Sequence, residues 1–308
     1  MISVEILSRD YGNFSALKGV SFRIAKGEIV GFLGPNGAGK TTTMRIITGS
    51  LAPSSGQIFL DGEPLEKNWG LLKEKLGYLP ESAPAYPEMQ VETYLSFVAQ
   101  IRQLNSTNSV SKVMDRCGLN EMAKRPIGHL SKGFRQRVGL AQALIHDPEI
   151  LILDEPSSGL DPNQIQEMMN LIRSFAGEKT ILFSSHILAE VEAVANRILV
   201  LNEGQLVADG QLDELRAQAS EGQIKLRVGG EQSEGLADQL IQIPGVRTID
   251  ATPISTHETL FLIAIDPSKS PSAHIARAVI ESNGQLLEMS DDSDDLDQLF
   301  GRLTRGDK

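Results

Sequence analysis

Residues 34–42 read GPNGAGKTT. They match the pattern G-x-x-x-x-G-K-[ST], with Gly34, Gly39, Lys40 and Thr41 at the fixed positions. A polyphosphate needs several backbone N–H donors that point inward, and glycine allows the backbone to curl tightly enough to supply them. Lys40 would contact the β- and γ-phosphates, and the Thr41 hydroxyl would bind Mg²⁺. The stretch therefore predicts a phosphate-binding loop.

The sequence on either side of this loop supports the same interpretation. Apolar IVGFL at 29–33 predicts a buried strand before the loop, and residues 40–48 predict a helix after it that Gly49 ends. The alternative is a Gly-rich turn that matches by chance, which should happen in roughly one protein in a hundred. The strand–loop–helix order makes a chance match rarer still.

A second segment, LILDEP at 151–156, supplies the acidic residues that such a site needs. Asp154 ends an apolar strand and would hold the Mg²⁺ shell, while Glu155 follows at the sheet edge where ligands bind. A carboxylate there can orient and deprotonate an attacking water. The pair is weak evidence alone and strong evidence beside the phosphate loop. His186 closes the strand TILFSS and would point toward the γ-phosphate; a structural histidine is the alternative.

The length of the chain and its patterning predict two domains. A chain of 308 residues suits one large and one small domain, which we place at 1–220 and 221–308. Helical spacing of apolar residues predicts a helical subdomain at about 87–147. Beyond the polar stretch near 216–223 the order is β-α-β-β-α-β, which is a ferredoxin-like pattern. The acidic run 291–295 is interpreted as the first turn of a closing helix, with a metal site as the alternative.

Composition disfavours several classes of protein. The net charge of −11 disfavours binding to nucleic acid and direct adhesion to an anionic membrane surface. Cys117 is the one cysteine, so no disulfide framework is possible and a reducing compartment fits. No stretch approaches the ~20 consecutive apolar residues of a membrane span, and the N-terminus does not resemble a signal peptide. We expect a cytoplasmic protein.

The octamer LSKGFRQR at 130–137 predicts a helix start that is suited to bind an anion. It has Ser131 and Gly133 at the helix start and carries three cations. It contains no carboxylate, cysteine or histidine that could act as a base or nucleophile. The group that reacts with a bound anion must therefore come from elsewhere.

The order of these motifs resembles the ATP-binding subunits of ATP-binding-cassette (ABC) transporters. The resemblance rests on the phosphate loop, LSKGFRQR, LILDEP, SSGLD at 157–161 and the strand-end His186, and it covers about residues 2–220. The sequence around LSKGFRQR, the signature segment, is similar to that of the family branch that serves two-component exporters and gliding-motility-type systems. The implied fold is the α/β P-loop NTPase cassette, with a mixed sheet core, an antiparallel β subdomain and a helical subdomain. The small C-terminal α+β ferredoxin-like domain would be an addition.

The resemblance also implies roles for individual residues. Tyr11 would stack on adenine, a buried core tyrosine being the alternative. Catalysis would rest on Glu155, His186 and Lys40, and the metal would be held by Thr41, Glu81 and Asp154. The loop residues that would bind nucleotide are Gly34, Pro35, Asn36, Gly37, Ala38, Gly39, Lys40, Thr41 and Thr42.

The same resemblance explains why LSKGFRQR contains no group that could react with a bound anion. In the family two subunits pack head to tail, and each presents its signature helix to the γ-phosphate held by the other, a twofold arrangement with two equal sites. Ser131, Gly133 and Asp161 would therefore serve the nucleotide of a second copy. An ordinary helix cap by Ser131 is compatible with this role.

Three positions depart from the family pattern. Glu81 stands where glutamine is usual; a carboxylate can still ligate Mg²⁺ but cannot donate a hydrogen bond. Lys132 and Phe134 replace a glycine and the glutamine of the usual L-S-G-G-Q. Because Ser131 and Gly133 are intact, we expect weakened or retuned clamping of nucleotide and not a dead site.

The resulting hypothesis is the ATPase subunit of a membrane exporter that uses ATP and Mg²⁺. It would form a homodimer, or pair with a homologous cassette, on separate transmembrane permease subunits at the cytoplasmic face of the inner membrane. Membrane contact would be through the permease alone, and no nucleic acid is expected. The alternatives are a soluble ABC-type ATPase acting on ribosomes or DNA, and a non-hydrolysing regulatory module. The 50 positions between Glu81 and Ser131 leave no room for the coiled coil of DNA-repair relatives.

Overall fold

The computed structural model describes residues 1–82, 86–219, 223–230, 235–255, 257–266 and 269–291, together with Phe300. The chain divides into two compact units, Met1–Leu212 and Asp213–Lys308. The boundary predicted from composition, after residue 220, falls inside the second unit.

The first unit contains an antiparallel sheet of strand order β2-β1-β4-β5. Alternating burial along β2 shows that one face packs against the core and the other faces solvent, as is usual for antiparallel sheets. Its strands are β1 (Ile2–Tyr11), β2 (Phe14–Ile24), β4 (Ser55–Leu60) and β5 (Glu63–Pro64).

A six-stranded sheet of order β10-β9-β3-β8-β7-β6 forms the centre of this unit. The neighbours from β9 to β6 run parallel, and β10 pairs antiparallel with β9. Every residue of the central strands β3, β7 and β8 is buried, as is usual for parallel strands that are covered on both faces. The antiparallel sheet packs on one of these faces, where Phe22 of β2 contacts Phe32 of β3. The strands are β3 (Ile29–Leu33), β6 (Leu76–Leu79), β7 (Ile150–Leu153), β8 (Thr180–Ser185), β9 (Arg197–Asn202) and β10 (Gln205–Gln211).

The helices of the first unit include the predicted helical subdomain, which is confirmed by α3, α4 and α5. The short α2 and the helices α6 and α7 were not identified from the sequence. The helices are α1 (Lys40–Ile47), α2 (Trp69–Lys75), α3 (Val91–Ile101), α4 (Ser106–Cys117), α5 (Lys132–Leu144), α6 (Pro162–Arg173) and α7 (Leu188–Val194). A further helix, α8, follows at Leu212–Ala219.

The described part of the second unit has the predicted ferredoxin-like order. Its antiparallel sheet runs β12-β13-β11-β14, and its helices bury an apolar core against one face. The elements are β11 (Gln223–Gly229), α9 (Leu236–Leu240), β12 (Val246–Ser255), β13 (Glu258–Ile265), α10 (Ser272–Glu281) and β14 (Gln285–Asp291). Asp291 ends a strand and does not open a helix, so that part of the expectation is wrong. Phe300 is helical, and the rest of the predicted closing helix lies outside the described residues.

The register of the parallel strands brings three loops to one edge of the central sheet. Leu33 at the end of β3 pairs with Ser185 at the end of β8, and Leu153 at the end of β7 pairs with Phe183. The segments that follow β3, β7 and β8 therefore emerge side by side. This carboxyl edge is where open α/β sheets bind ligands.

Candidate active site

The phosphate loop joins β3 to α1 and depends on glycine at two close approaches. A Cβ on Gly34 would lie 2.3 Å from the Leu201 carbonyl oxygen. Gly39 has φ 107°, and a Cβ there would lie 2.7 Å from the Ala16 carbonyl oxygen. Gly39 also precedes α1 without a side chain to cap it. The first N–H groups of α1 can therefore serve an anion.

Lys40, Glu155 and His186 form a connected cluster. The Lys40 ammonium donates to the Gly34 carbonyl at 2.6 Å and lies 3.2 Å from Glu155 Oε1. Nδ1 of His186 lies 2.9 Å from the other oxygen, Glu155 Oε2. Lys40 and Glu155 are buried, while the imidazole is partly exposed. Glu155 thus lies between a cation and an imidazole that can hold or move a proton.

Asp154 is almost fully buried and uses only one of its oxygens. Oδ1 accepts hydrogen bonds from the Thr41 hydroxyl at 3.1 Å and the Ser184 hydroxyl at 2.8 Å. Oδ2 is buried and has no hydrogen-bond partner. Burial raises the pKa of Asp154, although the hydrogen bonds from Ser184 and Thr41 oppose that rise. An unpaired buried oxygen beside a threonine hydroxyl fits a hard cation.

Lys40, Glu155 and His186 line a pocket of about 300 Å³. Most of the predicted loop residues line it, as do Tyr11, Glu81, Glu155 and His186. Gly34, Ala38 and Asp154 are not among the lining residues. Phe14, Ala16 and Ser158 line it without having been predicted to bind nucleotide. The full lining is Tyr11, Phe14, Ala16, Pro35, Asn36, Gly37, Gly39, Lys40, Thr41, Thr42, Glu81, Glu155, Ser158 and His186.

Two exposed aromatic side chains, Tyr11 and Phe14, line the pocket. Tyr11 is 47% exposed, so the alternative of a buried core tyrosine is wrong. It pairs across the β1–β2 turn with Phe14, which is 62% exposed. The Arg9 guanidinium lies 4.7 Å from the centroid of the Tyr11 ring. Phe14 was recognisable in the sequence as a second aromatic residue, three positions after Tyr11.

Glu81 is connected to the signature helix through its backbone. Its carbonyl oxygen accepts a hydrogen bond at 3.1 Å from Nε2 of Gln136, a buried residue of α5. The exposed Glu81 side chain lines the pocket. A displacement of residue 81 would therefore be transmitted to α5 through this hydrogen bond.

The signature residues lie elsewhere. Ser131 and Gly133 line a separate cleft of about 40 Å³. The Ser131 hydroxyl caps α5 by accepting a hydrogen bond from the Phe134 N–H at 3.3 Å. Asp161 caps α6 through the Gln164 N–H at 2.9 Å. Within one chain, the structure does not bring these three residues into the phosphate-loop pocket.

Sequence reasoning also missed the serines that end β8. Ser184 bonds Asp154 and accepts from the Glu155 N–H at 2.8 Å. Ser185 bonds the buried Glu190 of α7. Polar residues closing a strand that is otherwise apolar were the signal for the serines, whereas nothing in the sequence marked Glu190 as buried.

Comparison with known proteins decides the family. A family model described as ABC transporter matches residues 17–158. The bacitracin transport ATP-binding protein BcrA of Bacillus licheniformis is 38% identical over 218 residues, which are 70% of this chain and 71% of that protein. The chain belongs to the ABC transporter family.

Other ABC proteins are similar over longer or shorter parts of the chain. The daunorubicin resistance ATP-binding protein DrrA3 of Streptomyces coeruleorubidus is 30% identical over 311 residues, covering 100% of this chain and 96% of that protein. A solved structure of an ATP-binding subunit of an ABC transporter superimposes with a TM-score of 0.64 at 30% identity. It covers 71% of this chain and 93% of that one.

This ABC chain is accordingly an ATP-binding transporter subunit with ATPase activity. ATP-binding subunits of ABC transporters dimerise and work with transmembrane components. Among the residues that the structure describes, no helix is both long enough and apolar enough to cross a bilayer.

Proposed function

We propose that the chain powers an exporter, as a Mg²⁺-dependent homodimer bound to separate permease subunits at the cytoplasmic face of the inner membrane. The observation that carries the proposal is the convergence of Lys40, Asp154, Glu155 and His186 on one sheet edge, around a pocket of about 300 Å³. Export is supported by relatives whose names refer to bacitracin transport and daunorubicin resistance.

ATP would be bound from both ends of the pocket. The uncapped start of α1 and the loop N–H groups would receive the phosphates, with the Lys40 ammonium beside them. Tyr11 would stack on the base, and Phe14 is placed to contact the same part of the nucleotide. Lys40 is also paired with Glu155, so a γ-phosphate that draws the ammonium away would release the carboxylate.

Hydrolysis would use Glu155 as the general base. Its buried carboxylate lines the phosphate-loop pocket, where it would accept a proton from a water placed against the γ-phosphate. His186 would hold Glu155 in position through the Nδ1 contact at 2.9 Å and stay within reach of the γ-phosphate. Glu155 would thus take the proton from the water, and His186 would fix the geometry of Glu155.

A magnesium ion would fit beside Asp154. The unpaired Oδ2 and the Thr41 hydroxyl are suitable oxygen ligands, and Glu81 supplies a third nearby. No group of three or more His, Cys, Asp or Glu within the described residues could hold a metal, so phosphate oxygens and water would complete the shell. When bound, the ion neutralises charge that develops on the phosphates.

The signature residues would act on the nucleotide of a second copy. Ser131 and Gly133 line their own cleft and do not reach the pocket of their own chain. Asp161 lies at the start of α6, after the loop that carries Ser158. A twofold dimer would complete two equal sites, each with one chain's phosphate loop and the other chain's signature.

Mixed dimers test this arrangement. Lys40→Ala damages the phosphate loop and Ser131→Arg crowds the signature, so dimers of either variant alone have two damaged sites. In a mixed dimer, sites shared between chains would leave one site with both lesions and the other intact. We expect tagged, purified mixed dimers to trap one ATP per dimer, whereas each parent traps almost none.

The control is a wild-type dimer carrying the same two tags, which should trap two ATP molecules. Mixed dimers that trap no more nucleotide than either parent would contradict shared sites. Trapping is the better readout because turnover can require both sites or the permease.

A patch of three exposed side chains in the helical subdomain is suited to the permease. Tyr86 and Phe97 contact edge to face at 6.0 Å, and Ile101 lies one turn after Phe97 on the same face of α3. Ile101 is 65% exposed. A contiguous apolar patch on a surface commonly marks an interaction site, and this one follows Glu81, which lines the pocket.

Cysteine cross-linking tests this docking site. Cys117 gives little background because it is buried, and burial raises its pKa to about 12. We expect Phe97→Cys and Ile101→Cys to cross-link to cytoplasmic loops of the co-expressed permease. Ile280→Cys, an exposed position of α10, is the matched control. Cross-links that form only from Ile280→Cys would sink the assignment.

A further inference from the structure

Glu190 is a buried carboxylate with no role in the site described so far. It lies in the first turn of α7 and is 5% exposed. Its Oε2 accepts two short hydrogen bonds, from the Ser157 hydroxyl at 2.6 Å and the Ser185 hydroxyl at 2.6 Å. Its Oε1 is buried without a hydrogen-bond partner. A single oxygen atom thus joins two segments that are far apart in sequence.

The two segments are those that carry the reacting groups. Ser157 is two residues after Glu155, and Ser185 is the residue immediately before His186. Both serines are buried, and Glu190 accepts the short hydrogen bond of each hydroxyl. The Ile187 carbonyl oxygen is a second acceptor for Ser185, at the longer distance of 3.4 Å. The oxygen of Glu190 therefore fixes the distance between the chain that follows Glu155 and the chain that precedes His186.

The backbone at Glu155 needs such support. Glu155 has φ 47°, in the left-handed region that residues with a side chain rarely adopt. Such residues keep this conformation only when the surroundings determine it from several sides. The Glu155 N–H is held by Ser184 on one side, and Ser157 is held by Glu190 on the other. Together these bonds direct the carboxylate toward Lys40 and His186.

Packing alone does not account for a carboxylate at this place. Burying a charged or polar group with an unsatisfied oxygen is unfavourable, and an apolar side chain would hold α7 against the sheet without that cost. The neighbouring Val191 shows the apolar solution, since it packs on Gly31 of β3. What the carboxylate adds is a fixed acceptor for two hydroxyls.

We propose that Glu190 is a positioning residue for ATP hydrolysis, which holds Glu155 and His186 in reacting geometry by joining Ser157 to Ser185. The proposal rests on the roles proposed above for Glu155 and His186. Glu190 touches neither residue and acts through the serines. Its removal should therefore lower the rate of the chemical step and leave ATP binding intact.

The experiment compares three variants of the full chain, assayed with the co-purified permease if turnover requires it. Glu190→Ala should lower kcat by about 10–100-fold, as loss of a supporting hydrogen-bond partner commonly does, with the KM for ATP within about 3-fold of wild type. Glu190→Gln keeps an oxygen acceptor and should restore most of kcat. Val191→Ala is the control for general loosening of α7 and should lower the melting temperature with little change in kcat.

Other outcomes would overturn the proposal. One is a wild-type kcat for Glu190→Ala; another is an equal loss of kcat in Val191→Ala at equal loss of stability. If Glu190→Ala does not fold, Ser157→Ala and Ser185→Ala remove the same link with a smaller change. Their effects on kcat should then be strongly non-additive in the double variant, and additive effects would refute the link. Glu155→Gln distinguishes the two levels: if that variant turns over normally, the proposed catalytic role fails first.

Discussion

The phosphate-loop pocket and the signature cleft both lie at a helix start in the first unit, but they treat the first N–H groups of the helix differently. Helix α1 follows Gly39, which has no side chain to cap it. Helix α5 follows Ser131, whose hydroxyl accepts a hydrogen bond from the Phe134 N–H. The pocket beside α1 is also larger, about 300 Å³ against about 40 Å³.

The two regions also differ in their buried charged groups and in their unpaired polar atoms. The pocket beside α1 has the buried Lys40 and Glu155 next to the unpaired Oδ2 of Asp154. In the described part of the chain, no residue lining the signature cleft has a buried polar side-chain atom without a partner. A site that is strained and partly unpaired is suited to bind and react, whereas one whose polar groups are satisfied internally needs no ligand and can present its helix start to another chain.

The largest expected effect is on the charged pocket. Glu155→Gln should bind ATP but turn it over at least ~100-fold more slowly, because positioned acid–base catalysis contributes about that much. Single-turnover hydrolysis and ATP binding measured on the same preparation check this. Near-normal turnover in the pure variant would show that Glu155 is not the base.

The next expected effect comes from adding a single methyl group at each of the two helix starts. Gly39→Ala should lose ATP binding and about 1–3 kcal/mol of stability, because φ 107° is strained for alanine and the Ala16 carbonyl leaves no room. Gly133→Ala should fold within ~0.5 kcal/mol of wild type, since its Cβ meets only the flexible Gln164 side chain at 3.1 Å. Urea unfolding measures both, and equal losses would erase the distinction between the regions.

The smallest effect is a gain in stability. Burial raises the pKa of Asp154, so at neutral pH the ionised carboxylate weakens the fold when no metal is present. Asp154→Asn should raise stability by on the order of 1 kcal/mol, or ~2–4 °C in melting temperature. The gain should shrink at acid pH, once Asp154 is protonated in both the folded and unfolded states. Thermal unfolding without Mg²⁺ checks it, and a lower melting temperature at neutral pH would contradict it.

The sequence by itself determined the cassette fold and the main parts of the candidate site. A glycine pattern, an apolar strand ending in Asp154-Glu155 and an apolar strand ending before His186 are local features, and each predicts its own element. Apolar runs likewise predicted β3, β7 and β8 as strands, but not their order in the sheet. The β-α-β-β-α-β order of the second unit was readable for the same reason.

Only the tertiary structure decided which side chains meet. The register that places Leu153 beside Phe183 brings Ser184 to Asp154, and α7 carries Glu190 to two serines from different segments. These contacts depend on how strands and helices pack, and periodicity cannot encode a partner about thirty residues away. Whether a helix start is capped by its own side chain or left for a ligand likewise depends on backbone geometry. The sequence therefore indicated the candidate reacting groups, and the packing around them decides how they are held.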